Sequence, residues 1–205
     1  MKYIDLSYTV NNEIAVSKYD VKPSLTRVKF LERDYYNDTE INSTMHIGTH
    51  IDAPSHMLDS DLFVSDYDIS TFIGKGVFLN YENEVDLTLR EEDESKIVEG
   101  SIVMVYTNMD KVNGTKEYYE THPVISMELC ECLIQKKVKV VALDFYSPDK
   151  FPFEIHKKLL SNNILIVENV KNAHLLKDIK EFTLHMIPMK IDAEGSFVRA
   201  YASYE

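Results

Sequence analysis

"HIGTHIDAPSH", residues 46–56, sets three histidines and an aspartate around a single glycine. Side chains of an extended chain alternate between faces, so His46, Gly48, His50 and Asp52 share one face and Ile47, Thr49 and Ile51 the other. The stretch is expected to form an amphipathic strand with one apolar face for a core and one face of imidazoles and a carboxylate. Imidazole nitrogens suit zinc and manganese, and an aspartate adds an anionic oxygen that can bridge two cations. A straight strand separates the Cα atoms of His46 and His50 by roughly 13 Å, at the limit for two imidazoles to meet on one ion. The strand must therefore bend, and Gly48, which has no Cβ to resist unusual dihedrals, is the expected place. Spacing alone is also compatible with a polar strand carrying surface histidines. Pro54 should end the regular strand, leaving His56 either as a proton shuttle to a leaving group or as a loop histidine bonded to backbone.

Two distant residues depart from their local pattern. In "FPFEIHKKLL" (151–160), Phe153, His156, Leu159 and Leu160 fall on one helical face, which places His156 among apolar neighbours. A core histidine of this kind is often merely hydrogen-bonded. In "NILIVENV" (163–170), Glu168 closes an apolar run of the kind that forms a buried strand, where an unpaired carboxylate costs several kcal/mol or more. It needs a cation, and the run contains no lysine or arginine. A metal or a salt bridge from elsewhere in the fold would serve.

At 205 residues and 44% hydrophobic content the chain can build one sizeable core, and a single domain over residues 1–205 is expected. The formal charge of −12 disfavours nucleic acid and anionic membrane as partners and favours small molecules. No apolar run approaches the length of a signal core or membrane span, so a cytoplasmic location is the simplest expectation. Cys130 and Cys132, in the helical pattern "SMELCECLIQKK", point about 200° apart and suit neither a disulfide nor a shared metal. No GxSxG elbow is present. The charge run "REEDESK" (90–96) is expected to be a solvated turn or helix start.

Short β-rich runs occur at "KYIDLSY", "RVKF", "GVFLNY", "SIVMVYT", "VKVVALDF", "NILIVENV" and "FTLHMIPMKI", against helical patterns at 126–137 and 153–160. Strands outnumber helices, so the α/β class is expected with a mixed sheet or barrel-like core and a few packed helices. Tryptophan is absent, whereas there are 13 tyrosines and 9 phenylalanines, so any aromatic wall must be built from those two types.

His46, Gly48, Thr49, His50, Asp52, Pro54 and His56 reproduce the pattern HxGTHxDxPxH, and the chain resembles the metal-dependent cyclase family, whose bacterial members include kynurenine formamidases and isatin hydrolases. "ALDFYSPD", "EIHKKLLSNNILIVENV" and "HMIPMKIDAEGSFVRAYA" look like that family's second ligand region and C-terminal strand pair, so the resemblance covers nearly the whole chain. It implies a swivelling β/β/α fold around a mixed, barrel-like sheet. It implies one or two divalent ions, with His46, His50 and Asp52 on the first, Asp52 and His156 on the second, Glu168 on both, and His56 as acid/base. It further implies a homodimer or larger homo-oligomer. The expected reaction is hydrolysis of a C–N bond in a formamide or cyclic amide by metal-activated hydroxide. Lactone hydrolysis and metal-dependent ligand binding without turnover are the alternatives. The chain departs from the family where relatives carry an aromatic residue followed by Pro-Gly-Asp: here stands "SKYD", with Ser17 at the aromatic position. Tyr19 or a tyrosine of "RDYYND" could fill that space.

Overall fold

The computed structural model describes residues 1–205. Its strands and helices run β1 (Lys2–Asp5), β2 (Ser24–Lys29), α1 (Leu31–Asp34), β3 (Asp38–Asn42), β4 (His50–Asp52), β5 (Ile73–Asn80) and β6 (Asp86–Leu87). There follow α2 (Glu91–Lys96), β7 (Ile102–Tyr106), α3 (Lys116–Glu120), β8 (Val124–Ile125), α4 (Met127–Gln135) and β9 (Val140–Leu143). The chain ends with α5 (Glu154–Ser161), β10 (Leu165–Glu168), β11 (Thr183–Pro188) and β12 (Gly195–Tyr204).

The central sheet has eight strands in the order β1-β12-β11-β5-β7-β9-β10-β4, and β4 pairs again with β12, so all but β1 close into a mixed barrel. β5, β7, β9 and β10 are parallel neighbours, and the other junctions are antiparallel. Closure needs β12 to be long: its Gly195–Phe197 end pairs with β4 and its Tyr201–Tyr204 end with β1, while its other edge carries β11. The α/β class and barrel-like sheet are those expected from the sequence.

Period-two alternation sorts the core into two layers. Ile102, Met104 and Tyr106 of β7 point into the barrel with Val140, Ala142, Leu165 and Val167. Val103 and Val105 point outward with Val141, Leu143 and Ile166, under Leu129, Cys130 and Leu133 of α4 and Ile155, Leu159 and Leu160 of α5. Both faces of these parallel strands are covered, which explains their uninterrupted apolar runs. The Ser126 hydroxyl caps α4 by accepting from the Leu129 N–H at 3.2 Å. Cys130 and Cys132 are buried free thiols.

Two local expectations need correction. The regular strand of the 46–56 stretch is only His50–Asp52, because Gly48 adopts a left-handed φ of +58° and breaks the extended run before it. "REEDESK" is also not simply solvated. Asp93 is completely buried, held by Arg90 Nε at 2.6 Å and Lys96 Nζ at 3.1 Å.

Candidate metal centre

The candidate site lies on the outer face of the barrel where β4 and β10 meet α5. Ile51 and Val167 point into the barrel core, so their neighbours His50, Asp52 and Glu168 point out. The antiparallel register sets Glu168 directly opposite His50 and Ile166 opposite Asp52. α5 packs on this face and delivers His156 alongside Ile155, Leu159 and Leu160. The Gly48 turn then folds His46 back, bringing its ring centroid to 5.1 Å from that of His50. The separation of a straight strand is thereby removed at the glycine. A Cβ there would also lie 2.9 Å from Ile14 Cδ1.

The five side chains converge. Asp52 Oδ1 lies 2.8 Å from His46 Nδ1 and 3.7 Å from His50 Nε2, while Asp52 Oδ2 lies 3.8 Å from His156 Nε2. Glu168 Oε2 is 3.4 Å from His50 Nε2, and its Oε1 is 3.2 Å from His156 Nε2. Each carboxylate thus offers one oxygen toward His50 and the other toward His156. His50, Asp52, His156 and Glu168 are all buried, yet His50 Nε2, both Asp52 oxygens and Glu168 Oε1 have no aligned hydrogen-bond partner. An unpaired buried polar atom costs about 1–3 kcal/mol and a charged one more, so four of them within one cluster call for a cation. The donors, imidazole nitrogen and carboxylate oxygen, suit a divalent metal such as zinc or manganese.

Protonation follows the same logic. Burial opposes a charge on His46, but Asp52, with Glu168 and Glu194, outweighs it and pushes the pKa up to about 9. Burial is likewise overcome for His50 by Glu168 and Asp52, and for His156 by Asp149, Asp52 and Glu168; both are raised. Burial would raise Asp52 and Glu168, but the surrounding imidazoles hold Asp52 well below the usual carboxylate range and Glu168 below it too. The cluster attracts positive charge, and a cation would take the place of protons.

Two far-side contacts fix the histidines. His50 Nδ1 donates to the Gly48 carbonyl at 2.9 Å, which leaves Nε2 as the free nitrogen. His156 Nδ1 meets Asp149 Oδ1 at 2.7 Å, and Asp149 Oδ2 accepts from the backbone N–H groups of Ile155 and His156 at 2.6 and 3.2 Å. Asp149 therefore both caps α5 and orients its histidine, in the carboxylate–histidine arrangement common around metals. Asp149 stands ahead of the N-cap residue Phe153, outside the position where a capping carboxylate is read from sequence, so this role is visible only in the folded chain.

His56 ends a short 3-10 turn, Pro54–His56, and its ring stacks on that of His46 with centroids 4.0 Å apart. Burial lowers its pKa, so the neutral form dominates at neutral pH. Beside it opens a cleft of about 980 Å³ with His46, His56, His156 and Glu168 among its lining residues. Tyr119, Tyr146, Phe151 and Phe153 supply aromatic wall, and Lys18, Lys116 and Lys150 supply cations. Lys18 and Lys116 each pair with Glu120 at 3.5 Å.

Ser17 is buried beside Tyr119 and Tyr146, and Tyr19 lines the cleft while remaining 82% exposed. The tyrosines of "RDYYND" do not reach the site: Tyr35 and Tyr36 are exposed around the β2–β3 hairpin and line neither this cleft nor the cavity at Ser17. Tyr119 and Tyr146, on separate segments after α3 begins and β9 ends, carried no sequence signal for this role.

The family model Cyclase matches residues 4–150. An uncharacterized protein of Methanocaldococcus jannaschii is 32% identical over 206 residues, covering 98% of this chain and 99% of that one. A kynurenine formamidase of Bacillus cereus is 28% identical over 207 residues, covering 97% of this chain and 96% of the relative. Isatin hydrolase A from Labrenzia aggregata, solved with benzyl benzoate, superposes with a TM-score of 0.84 at 20% identity over 98% of this chain and 93% of that one, a likeness of fold. By the family match and the full-length relatives, the chain belongs to the Cyclase family.

Proposed function

We propose that the protein is a metal-dependent hydrolase that cleaves a C–N bond of a formamide or cyclic amide. The observation that carries this reading is the convergence of Asp52 and Glu168 with His46, His50 and His156, leaving buried donor atoms unpartnered beneath an open cleft. The kynurenine formamidase relatives, aligned over nearly their full length, support the C–N bond as target. His46, His50, Asp52 and Glu168 would hold one cation, and Asp52, Glu168 and His156 a second; zinc and manganese both fit these donors. Divalent ions there would polarise a carbonyl and lower the pKa of water toward about 7.

The chain's own residues supply the rest. Neutral His56, half-buried at the cleft, accepts a proton as water adds to the carbonyl carbon and returns it to the departing amine nitrogen as the C–N bond breaks. Tyr119 and Tyr146, edge-on to each other with centroids 5.1 Å apart, offer faces to an aromatic amine. Asp149 keeps His156 in the orientation that turns Nε2 toward the carboxylates. A homodimer is the assembly proposed. It is supported by the β2–β3 hairpin and its ends, which expose Val28, Phe30, Leu31 and Ile41.

The test is hydrolysis of a panel containing N-formylkynurenine, isatin-like lactams and lactones, run on metal-loaded and chelator-treated protein. Metal-dependent turnover of a formamide or lactam is the expected result. Turnover of lactones alone would move the substrate to cyclic esters, and full activity without metal would overturn the scheme.

A further inference from the structure

We infer that Glu194 and Gly195, at the start of β12, position His46 so that Nδ1 is the nitrogen it offers to a cation; this rests on the metal reading above. His50 and His156 turn Nε2 to the carboxylates and anchor Nδ1, on the Gly48 carbonyl and on Asp149. His46 is reversed. Its Nδ1 faces Asp52 Oδ1 at 2.8 Å, and its Nε2 is hydrogen-bonded to Glu194 Oε1 at 3.3 Å. A neutral imidazole carries one proton. Placed on Nε2, that proton goes to Glu194 and leaves the Nδ1 lone pair free. Placed on Nδ1, it blocks the ligating position. The Glu194 carboxylate favours the first tautomer.

The backbone holds both residues in place. The Glu194 carbonyl accepts from the Ala53 N–H at 2.8 Å, and Gly195 is the register partner of Asp52. Gly195 is also the floor under the ring: a Cβ there would lie 2.8 Å from His46 Cε1 and 3.1 Å from Nε2. Any larger residue must push His46 off its present position. All three histidines then have an acceptor on the nitrogen away from the cluster, as ligating histidines usually do.

The test uses the full chain, stripped of metal and titrated with Zn²⁺ against a chelating indicator, for wild type, Glu194→Ala, Glu194→Gln, Gly195→Ala and the exposed control Glu181→Gln. Glu194→Ala and Gly195→Ala are expected to weaken one zinc site about 10–100-fold. Glu194→Gln, which keeps a neutral acceptor, should lose less, and the control nothing. Ring ¹⁵N shifts of His46 in the zinc-loaded wild type should show Nε2 protonated and Nδ1 ligated. Wild-type zinc affinity in both Glu194→Ala and Gly195→Ala, or a zinc-ligated Nε2, overturns this inference and leaves the metal site standing. Failure of the wild type to bind zinc at all overturns the metal reading and the inference with it.

Discussion

Replacing Asp149 with alanine should loosen both the fold and the metal centre, by amounts that follow from its three contacts. Phe153 occupies the N-cap of α5 and has no side-chain acceptor, so the N–H groups of Ile155 and His156 depend on Asp149 Oδ2. A lost cap of this kind costs about 0.5–2 kcal/mol. Losing the charge-assisted bond between Asp149 Oδ1 and His156 Nδ1 costs about 1.5–3 kcal/mol more. Urea unfolding of chelator-treated protein should therefore show a total loss of about 2–5 kcal/mol, read as a lower midpoint at constant slope. Zinc competition should show affinity reduced about 10–100-fold as His156 loses its orientation. Asp149→Asn retains an acceptor for the helix N–H groups and should recover part of the stability while remaining weaker for zinc. An alanine variant that unfolds within 0.5 kcal/mol of wild type, a bound set by the effect of an ordinary surface substitution, and that binds zinc normally, would refute this role for Asp149.

Other consequences follow from the cluster. His50→Ala should abolish metal loading and turnover together, as elemental analysis and the hydrolysis assay would read. His56→Ala should keep metal content unchanged and lower kcat about 10²–10⁴-fold, the usual contribution of a general acid/base; unchanged kcat would remove His56 from that role. The metal-free protein should lose stability on the alkaline side. His46 is raised from 6.5 to about 9, so its contribution is fully present below the unfolded value and disappears as pH rises through about 9, worth roughly 3 kcal/mol. Thermal unfolding of chelator-treated protein from pH 6 to 9.5 should show Tm falling. Excess Zn²⁺ should flatten the fall, because fewer protons compete with the cation.

Much of the fold was legible because the parallel strands are buried on both faces and leave continuous apolar runs such as "SIVMVYT" and "NILIVENV". β3 was not legible, since "DTEIN" is exposed at every position and carries no alternation. The proposed ligands stand out where their chemistry contradicts their surroundings: Glu168 at the end of an apolar strand, His156 on an apolar helix face. The bend expected at Gly48 is there, but its positive φ ends the regular strand instead of merely bending it, so β4 is shorter than the alternation over 46–52 suggests. Glu194 and Gly195 act through contacts between segments far apart in sequence, and "KIDAEGSF" reads as an ordinary turn until β12 is paired with β4. Asp149 acts locally, but from ahead of the N-cap position of α5, where a capping carboxylate is not looked for. The aromatic wall was foreseen in kind, tyrosine and phenylalanine in place of tryptophan, though not in position, because Tyr119 and Tyr146 meet only in the folded chain.

On the proposed function, the cluster of His46, His50, Asp52, His156 and Glu168 holds the metal that drives amide hydrolysis. The most direct measurement strips the purified protein with a chelator, restores Zn²⁺ or Mn²⁺ in steps, and follows N-formylkynurenine and isatin hydrolysis beside bound-metal content. Activity that vanishes on stripping and returns in proportion to one or two ions per chain is the expected result. Undiminished hydrolysis by the metal-free protein, or metal bound at full stoichiometry by a variant lacking both His50 and Glu168, would contradict it.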